Sequence, residues 1–473
     1  MKNGILTFLS CILLLISQQS RASHAMGAEI NYECLGNNQY RITMFFYRDC
    51  MGIPAPAQMS IDITSSCFPD QTILLSPTVP VPQQISTVCP TTTTTCNGGI
   101  YTGIEAWEYE GIVTLPGECA DWRFAHSEAS RNAAITTITG AGSDNQYVYS
   151  LLNNTNATCN NSPYFANPPV PFACIGQQFC YTNAAYDADG DSLAYSLITP
   201  LTGPGLTVTY LSGYTAAQPL VSSPPVTFNS TTGVMCMLPT QTDVTVFAIL
   251  VSEYRNGVLI GETERDVQLT INNCNNSVPL ITGINGTLGS TMNACPNIPV
   301  EFYMYAMDND AADATMLSWD GGIYPANFIT SGTHRDTAYF SWTPSSVDVA
   351  TVPHCFSASV IDDHCPYFGT SSKTFCITVL PSSDAYCIAL GMSSIENLQH
   401  LVIYPNPAND NIQIKATHPG ELKIVDEAGR IVFQKNVTSI QETKVDISQF
   451  AKGIYQVLVN SPFLRSKGRF IVQ

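Results

Sequence analysis

The sequence predicts an all-β protein, a multi-domain array of β-sandwiches, and three observations carry that expectation. Short runs alternate apolar and polar residues, as in Tyr40-Arg41-Ile42-Thr43-Met44-Phe45, Val244 to Val251 and Val267 to Ile271, and Gly, Pro and Asn interrupt them. Alternation of that period, closed by turn residues, is the pattern of half-buried strands. Only 12% of residues are charged while 45% are hydrophobic, and Thr, Ser and Asn fill the polar positions. That chemistry suits strand faces and turns better than helices, and it excludes long disorder. The chain has 473 residues, too many for one core, so several units are expected. A single stretch, Glu128 to Ile138, has modest helical character, and its β-branched tail weakens it.

The elements follow in chain order. Lys2 and the apolar run Ile5 to Ile16, ended by Ser20-Arg21-Ala22, read as a signal peptide over residues 1–22. About 12 apolar residues are too few to span the ~30 Å hydrocarbon core of a bilayer. Cleavage after Ala22 removes Cys11 and leaves 16 of the 17 cysteines, an even set that favours disulfides in an exported chain. No C-x-x-C pair supports zinc instead. The formal charge is −18, and about −20 once Lys2 and Arg21 are gone. Such a balance disfavours nucleic acid and anionic membrane surfaces as partners and is compatible with divalent cations.

Residues 23–170 hold six cysteines before Cys159 and read as one or two β-sandwich-like modules, with loops at Pro77 to Pro82 and Thr91 to Thr95. An internal repeat follows. Cys174 stands as far before Asp187-Ala188-Asp189 as Cys295 does before Asp308-Asn309-Asp310. The strand Phe247 to Glu253 matches Phe356 to Asp362, each ending in a carboxylate. Each copy has the dimensions of an immunoglobulin-like or cadherin-like sandwich, placed at 171–273 and 274–381. Small residues then make a linker, 382–398, before a final compact β unit at 399–473.

That final unit opens with Tyr404-Pro405-Asn406-Pro407, continues through Asp426-Glu427-Ala428-Gly429 and Gly453-Ile454-Tyr455, and closes on Arg469-Phe470-Ile471-Val472. In order, spacing and position it resembles the type A C-terminal sorting domain of the Bacteroidetes type IX secretion system. The resemblance implies Sec export, recognition by the type IX machinery and passage across the outer membrane. The product is then released or linked to surface lipopolysaccharide. The segment Ser23 to Ile30, with Tyr47-Arg48-Asp49-Cys50 and Ser130-Arg131-Asn132-Ala133-Ala134-Ile135, looks like the opening of large Bacteroidetes surface proteins. That likeness implies a location rather than a chemistry.

The sharpest local motif is Asp187-Ala188-Asp189-Gly190-Asp191-Ser192-Leu193. Alternating carboxylates around a glycine turn can converge oxygens on Ca2+, which accepts six to eight such ligands in irregular geometry. The segment is similar to the calcium-associated stretch of cadherin-like bacterial domains. Asp187, Asp189, Asp191 and Glu253 are the expected ligands in the first copy, and Asp308, Asp310 and Asp362 in the second, where Ala311 and Ala312 replace the glycine and third aspartate. The competing reading is an Asp/Gly turn whose carboxylates cap backbone amides. His126 with Glu128 near Trp122, and His354 and His364 beside Cys355 and Cys365, are more ordinary as packing residues than as catalytic or metal sites. H-E-x-x-H, G-x-S-x-G and P-loop patterns are absent from the sequence.

These residues point to a non-enzymatic, adhesin-like surface protein, stiffened by disulfides and calcium, with surface lipopolysaccharide, extracellular glycans or other surface proteins as partners. A carbohydrate-binding array is the alternative, for which Trp107, Tyr109, Trp122, Trp319 and Trp342 are the candidate platform residues. A further alternative is a secreted hydrolase with its site in 23–170.

Overall fold

The computed structural model describes residues 25–388, apart from 87, 166, 351 and 352, and residues 398–473, apart from 416–419, 427–428, 438–441 and 461–464. The expected signal peptide, most of the expected linker, and Glu427 and Ala428 lie outside them. The chain divides into two compact units, the first ending at Val379 and the second beginning at Leu380. The described residues are almost entirely β, and Trp122–Glu128 is a strand followed by turns rather than the start of a helix.

The first unit begins with seven strands: β1 (Ala25–Gly36), β2 (Gln39–Asp49), β3 (Met59–Thr64), β4 (Gln71–Pro77), β5 (Ile104–Thr114), β6 (Trp122–Glu128) and β7 (Gln146–Leu152). Asn37 and Asn38, both at positive φ, make the two-residue turn between β1 and β2, a conformation that asparagine tolerates and strand twist favours. The ladder runs β1-β2-β5-β4-β3-β6-β7. Three long later strands extend it: β8 (Ser192–Ile198), β9 (Val244–Arg255) and β10 (Val258–Asn272). Strand β10 takes β1 at Gly27 to Glu29 and β7 at Ser150 to Leu152 along the same edge, so the ladder closes into a ring. Alternate residues of the seven strands fill it: Ile42, Met44, Ile61, Ile63, Tyr109, Trp122 and Phe124 are buried together. A closed ring leaves no free strand edge for unwanted pairing.

The same β10 also builds the first sandwich. It pairs with β9 along its length from the Asn256-Gly257 turn, and β9 pairs with β8. Val267, Leu269 and Ile271 share one core with Phe247, the ladder neighbour of Val267, and with Tyr181 and Met235. The alternate residues Glu264, Asp266 and Gln268 are buried on the opposite face. There Arg131 donates to both Asp266 oxygens at 2.9 and 2.7 Å, and Gln146 donates to Asp266 at 2.9 Å. Arg265 pairs with Glu29, its direct neighbour in the ladder, and lies 3.8 Å from the Phe165 ring centroid. Arg131 and Arg265 thus have the partners that burial of charge requires.

The second sandwich packs two four-stranded sheets face to face. Its centre is aromatic: Phe302 stacks on Phe340 at 5.0 Å, Phe340 on Phe356 at 4.4 Å and Phe356 on Phe375 at 5.2 Å. Among the described residues, seven disulfides link pairs within the first unit. Cys34–Cys159, Cys50–Cys96 and Cys67–Cys119 brace the ring, and Cys89–Cys365 joins its loops to the second sandwich. Cys174–Cys274, Cys180–Cys236 and Cys355–Cys376 lie in the repeat region. The second unit, taken by itself, packs a five-stranded and a three-stranded sheet around Ile412, Ile414, Leu422, Ile424, Val457 and Phe470.

Candidate functional site

The first acidic turn connects to β8. Asp187 accepts hydrogen bonds from the backbone N–H groups of Asp189 (3.0 Å) and Asp191 (2.8 Å) through one oxygen, Oδ1. Gly190 turns the chain at φ +80°, a left-handed conformation open to glycine. Asp187 is buried, and its other oxygen, Oδ2, has no hydrogen-bond partner. Glu253, fully buried near the end of β9, brings a carboxylate to the same place, and donor atoms of Asp187, Asp191 and Glu253 lie within 4.8 Å of one another.

Two neighbours organise this cluster. Arg255 donates to Asp191 from Nε at 2.9 Å and to the Asn160 carbonyl oxygen from Nη2 at 2.7 Å. With its oxygen held there, Asn160 turns its amide nitrogen onto Glu253, at 2.8 and 2.9 Å from the two carboxylate oxygens. Burial, reinforced by the charges of Asp187 and Asp191 and opposed by Asn160, pushes the Glu253 carboxyl up to about 9. Burial also raises Asp187. Hydrogen bonding to Asp191 holds the Arg255 guanidinium above its ordinary value. Asp189 is turned away: its oxygens accept from Asn161 N and Nδ2, both at 2.8 Å. Of the four residues expected to converge, three do.

The second copy repeats the turn and changes the cluster. Asp308 Oδ1 accepts from Asp310 N at 2.8 Å, and Asp308 Oδ2, like its counterpart Oδ2 of Asp187, is buried without a partner. Asp310 accepts from Ser277 N at 2.7 Å. Asp362 instead pins its own loop, accepting from Asn276 at 2.9 Å, Gly369 N at 2.9 Å and His364 N at 3.1 Å. In its place Asp313 and His364, 2.9 Å apart, approach Asp310, and donor atoms of the three lie within 4.8 Å. The path differs because Ala311 and Ala312 carry no left-handed residue where Gly190 supplies one. Arg335 hydrogen-bonds the carbonyls of Asp308, Asp310 and Asp313.

The remaining expected positions are placed as follows. His126 and Glu128 are 3.3 Å apart, with His126 Nδ1 on the Ser60 carbonyl at 2.7 Å, in a largely enclosed setting. Trp122 and Trp342 are buried, and Trp319 packs on the second core. Tyr303 and Tyr305 are exposed on the outer face of the Val300–Met307 strand, and Tyr339 joins Tyr303 from the next strand at 5.1 Å. Nothing in the sequence but strand alternation marked those tyrosines.

In the second unit the short motif has a structural reason. Asn406 accepts from Ile471 N at 3.0 Å and donates to the Arg469 carbonyl at 3.1 Å, so its amide pairs with the terminal strand as a backbone unit would. Tyr404 ends the strand before Pro405, and Pro407 follows Asn406. Gly429 turns the chain at φ +79°, with Asp426 accepting from Arg430 N at 2.9 Å. Gly453 opens the Gly453–Asn460 strand, and Tyr455 stacks on Phe470 at 5.4 Å with its hydroxyl on the Ala451 carbonyl at 2.8 Å.

Residues 402–473 match the family of secretion system C-terminal sorting domains. The match assigns the chain to type IX secretion and delivers it to the cell surface or the extracellular space. None of the described helices is long and apolar enough to cross a membrane. No curated protein matches the chain. Among solved structures, it is similar to the tandem Ig repeats of Dlar at 12% identity, covering 46% of this chain and 98% of that one with a TM-score of 0.21. It is similar to the Ig1–Ig3 ectodomain of mouse nectin-like molecule 4 at 8% identity, covering 64% and 96% with a TM-score of 0.16. An endo-fucoidan hydrolase of glycoside hydrolase family 107 is similar at 14% identity, covering 71% and 42% with a TM-score of 0.18. Scores so low carry no argument about activity.

Proposed function

We propose that this type IX cargo is a non-enzymatic, adhesin-like scaffold: a chain of disulfide-braced β-modules that holds cells to extracellular glycans, lipopolysaccharide or other surface proteins. The observation behind the reading is the coupling of a sorting domain to a first unit whose ring, sandwiches and seven disulfides form one braced body. Bracing of that kind serves a chain that must keep its shape outside the cell. The test is attachment: cells lacking the chain should be retained less well on surfaces than cells that display it, and equal retention would defeat the reading.

Calcium belongs to the same proposal. Asp187, Asp191 and Glu253 offer hard oxygen donors within 4.8 Å, and the unpartnered Asp187 oxygen is a free ligand position. Arg255 already neutralises part of that charge, so the cation would be held by few protein ligands and would bind weakly, as suits millimolar extracellular calcium. Purified protein should melt several degrees higher in millimolar calcium, and Asp187→Ala/Asp191→Ala should abolish the shift, because a ligand specific to the folded state stabilises it. No shift in the wild type would leave the motif a capped turn.

A second reading, a carbohydrate-binding array, is favoured by the exposed Tyr303 and Tyr305 and the half-buried Tyr339 on one sheet face. Tryptophan does not supply that surface, since Trp122 and Trp342 are buried and Trp107 and Trp319 pack against the cores.

A further inference from the structure

A cavity of about 590 Å³ lies where the N-terminal ring and both sandwiches of the first unit meet. That volume is in the range of small-molecule sites. Its floor comes from an unusual run, Asn272-Asn273-Cys274-Asn275-Asn276, in which four amides surround one cysteine. The Cys174–Cys274 disulfide and the bond from Ile175 N to the Asn272 carbonyl at 2.9 Å fix the run in place, and all four asparagines line the cavity.

Two further observations concern hydrogen bonding. Gln268 and Asn276, only 4% and 6% exposed, both line the cavity, and each leaves its side-chain carbonyl oxygen without a partner. Buried amide oxygens are nearly always paired, and these two lie just beneath the cavity surface, where a turn of either side chain brings an unpaired acceptor to a donor from outside the chain. Charge narrows the chemistry. Among the described residues, no lysine or arginine lines the cavity. Its Asp49 already accepts from Met51 N at 2.9 Å, and His364 is engaged with Asp313. An anion finds no counter-charge here, and a cation finds only the single Asp49 carboxylate. One wall is apolar: the rings of Phe172 and Tyr367 stand 6.1 Å apart at 57°.

Amides that both donate and accept, set beside aromatic rings in a cavity with a single carboxylate, match a molecule with many hydroxyls and apolar C–H faces. We infer that this inter-module cavity binds a neutral saccharide, with the Asn272 to Asn276 run and Gln268 reading its hydroxyls and the Phe172–Tyr367 wall packing on its ring. This deepens the attachment reading above by naming a ligand class and a place.

The experiment is calorimetric titration of the purified full chain with a panel of neutral gluco-, manno-, galacto- and xylo-oligosaccharides. Asn275→Ala changes an exposed loop amide, and Gln268→Leu removes an unpaired buried acceptor, so both variants should keep the wild-type melting temperature. The expected result is saturable binding of at least one sugar by the wild type, weakened at least tenfold in each variant. If no sugar binds at millimolar concentration, or binding survives both substitutions, the cavity is a water-filled joint only and the inference falls. Cells that attach through a chain indifferent to every sugar would keep the attachment reading and reject this one. Sugar binding by a chain whose loss leaves attachment unchanged would do the reverse.

Discussion

At neutral pH the buried Glu253 carboxyl keeps its proton in the folded chain, because burial and the neighbouring Asp187 and Asp191 push it up to about 9. The unfolded chain releases that proton above the ordinary glutamate value of 4.5. Between those two values the folded state binds more protons than the unfolded one, so this group makes stability fall as pH rises, by at most ~1.4 kcal/mol per pH unit. Glu253→Gln keeps the shape and removes the titration. Its melting temperature should match the wild type near pH 5 and exceed it at pH 8, and parallel curves across that range would contradict the assignment. A different residue, Arg131, shows what burial does to a pair. It is 1% exposed against Asp266, so Arg131→Ala leaves a buried charge alone and should cost about 3–5 kcal/mol in urea unfolding. Arg41→Ala, which breaks the exposed pair with Glu33, should change stability by less than ~1 kcal/mol.

Strand β10 is the element on which the first unit depends, since it closes the ring and walls the first sandwich. Its contact with β1 is close enough to need glycine: a Cβ on Gly27 would stand 2.5 Å from the Asp266 carbonyl oxygen. Gly27→Ala should therefore cost about 1–3 kcal/mol through forced separation of the strands. A melting temperature unchanged from wild type would show that the closure is looser than described. The strands themselves were legible from alternation interrupted by Gly, Pro and Asn. Closure was not, because β1 meets β10 across more than 200 residues and local periodicity does not specify a distant partner. The cysteines announced disulfides, yet Cys89–Cys365, separated by 276 positions, follows only from the folded path. At the acidic turn, the spacing of Asp187, Asp189 and Asp191 revealed the motif. The roles of Asn160 and Arg255, and the exchange of Asp362 for Asp313 and His364 in the second copy, depend on Asn160, Arg255 and His364 being brought to the turns from elsewhere in the chain.

The whole molecule joins a braced first unit to a unit that matches a sorting domain, and the second explains where the first is found. Its terminal motif was readable because it is short, ordered and near the chain's end; Asn406 then gives the motif a physical meaning by pairing with the last strand. The adhesive role is the claim most in need of measurement. Retention of intact cells under flow on glycan-coated and cell-coated surfaces should be compared for three strains: one producing the full chain, one producing a chain truncated at residue 398, and one producing neither. The account predicts that only the full chain is labelled by antibody on intact cells and that only it raises retention. Retention that is the same in all three strains, with the full chain labelled at the surface, would contradict an adhesive function.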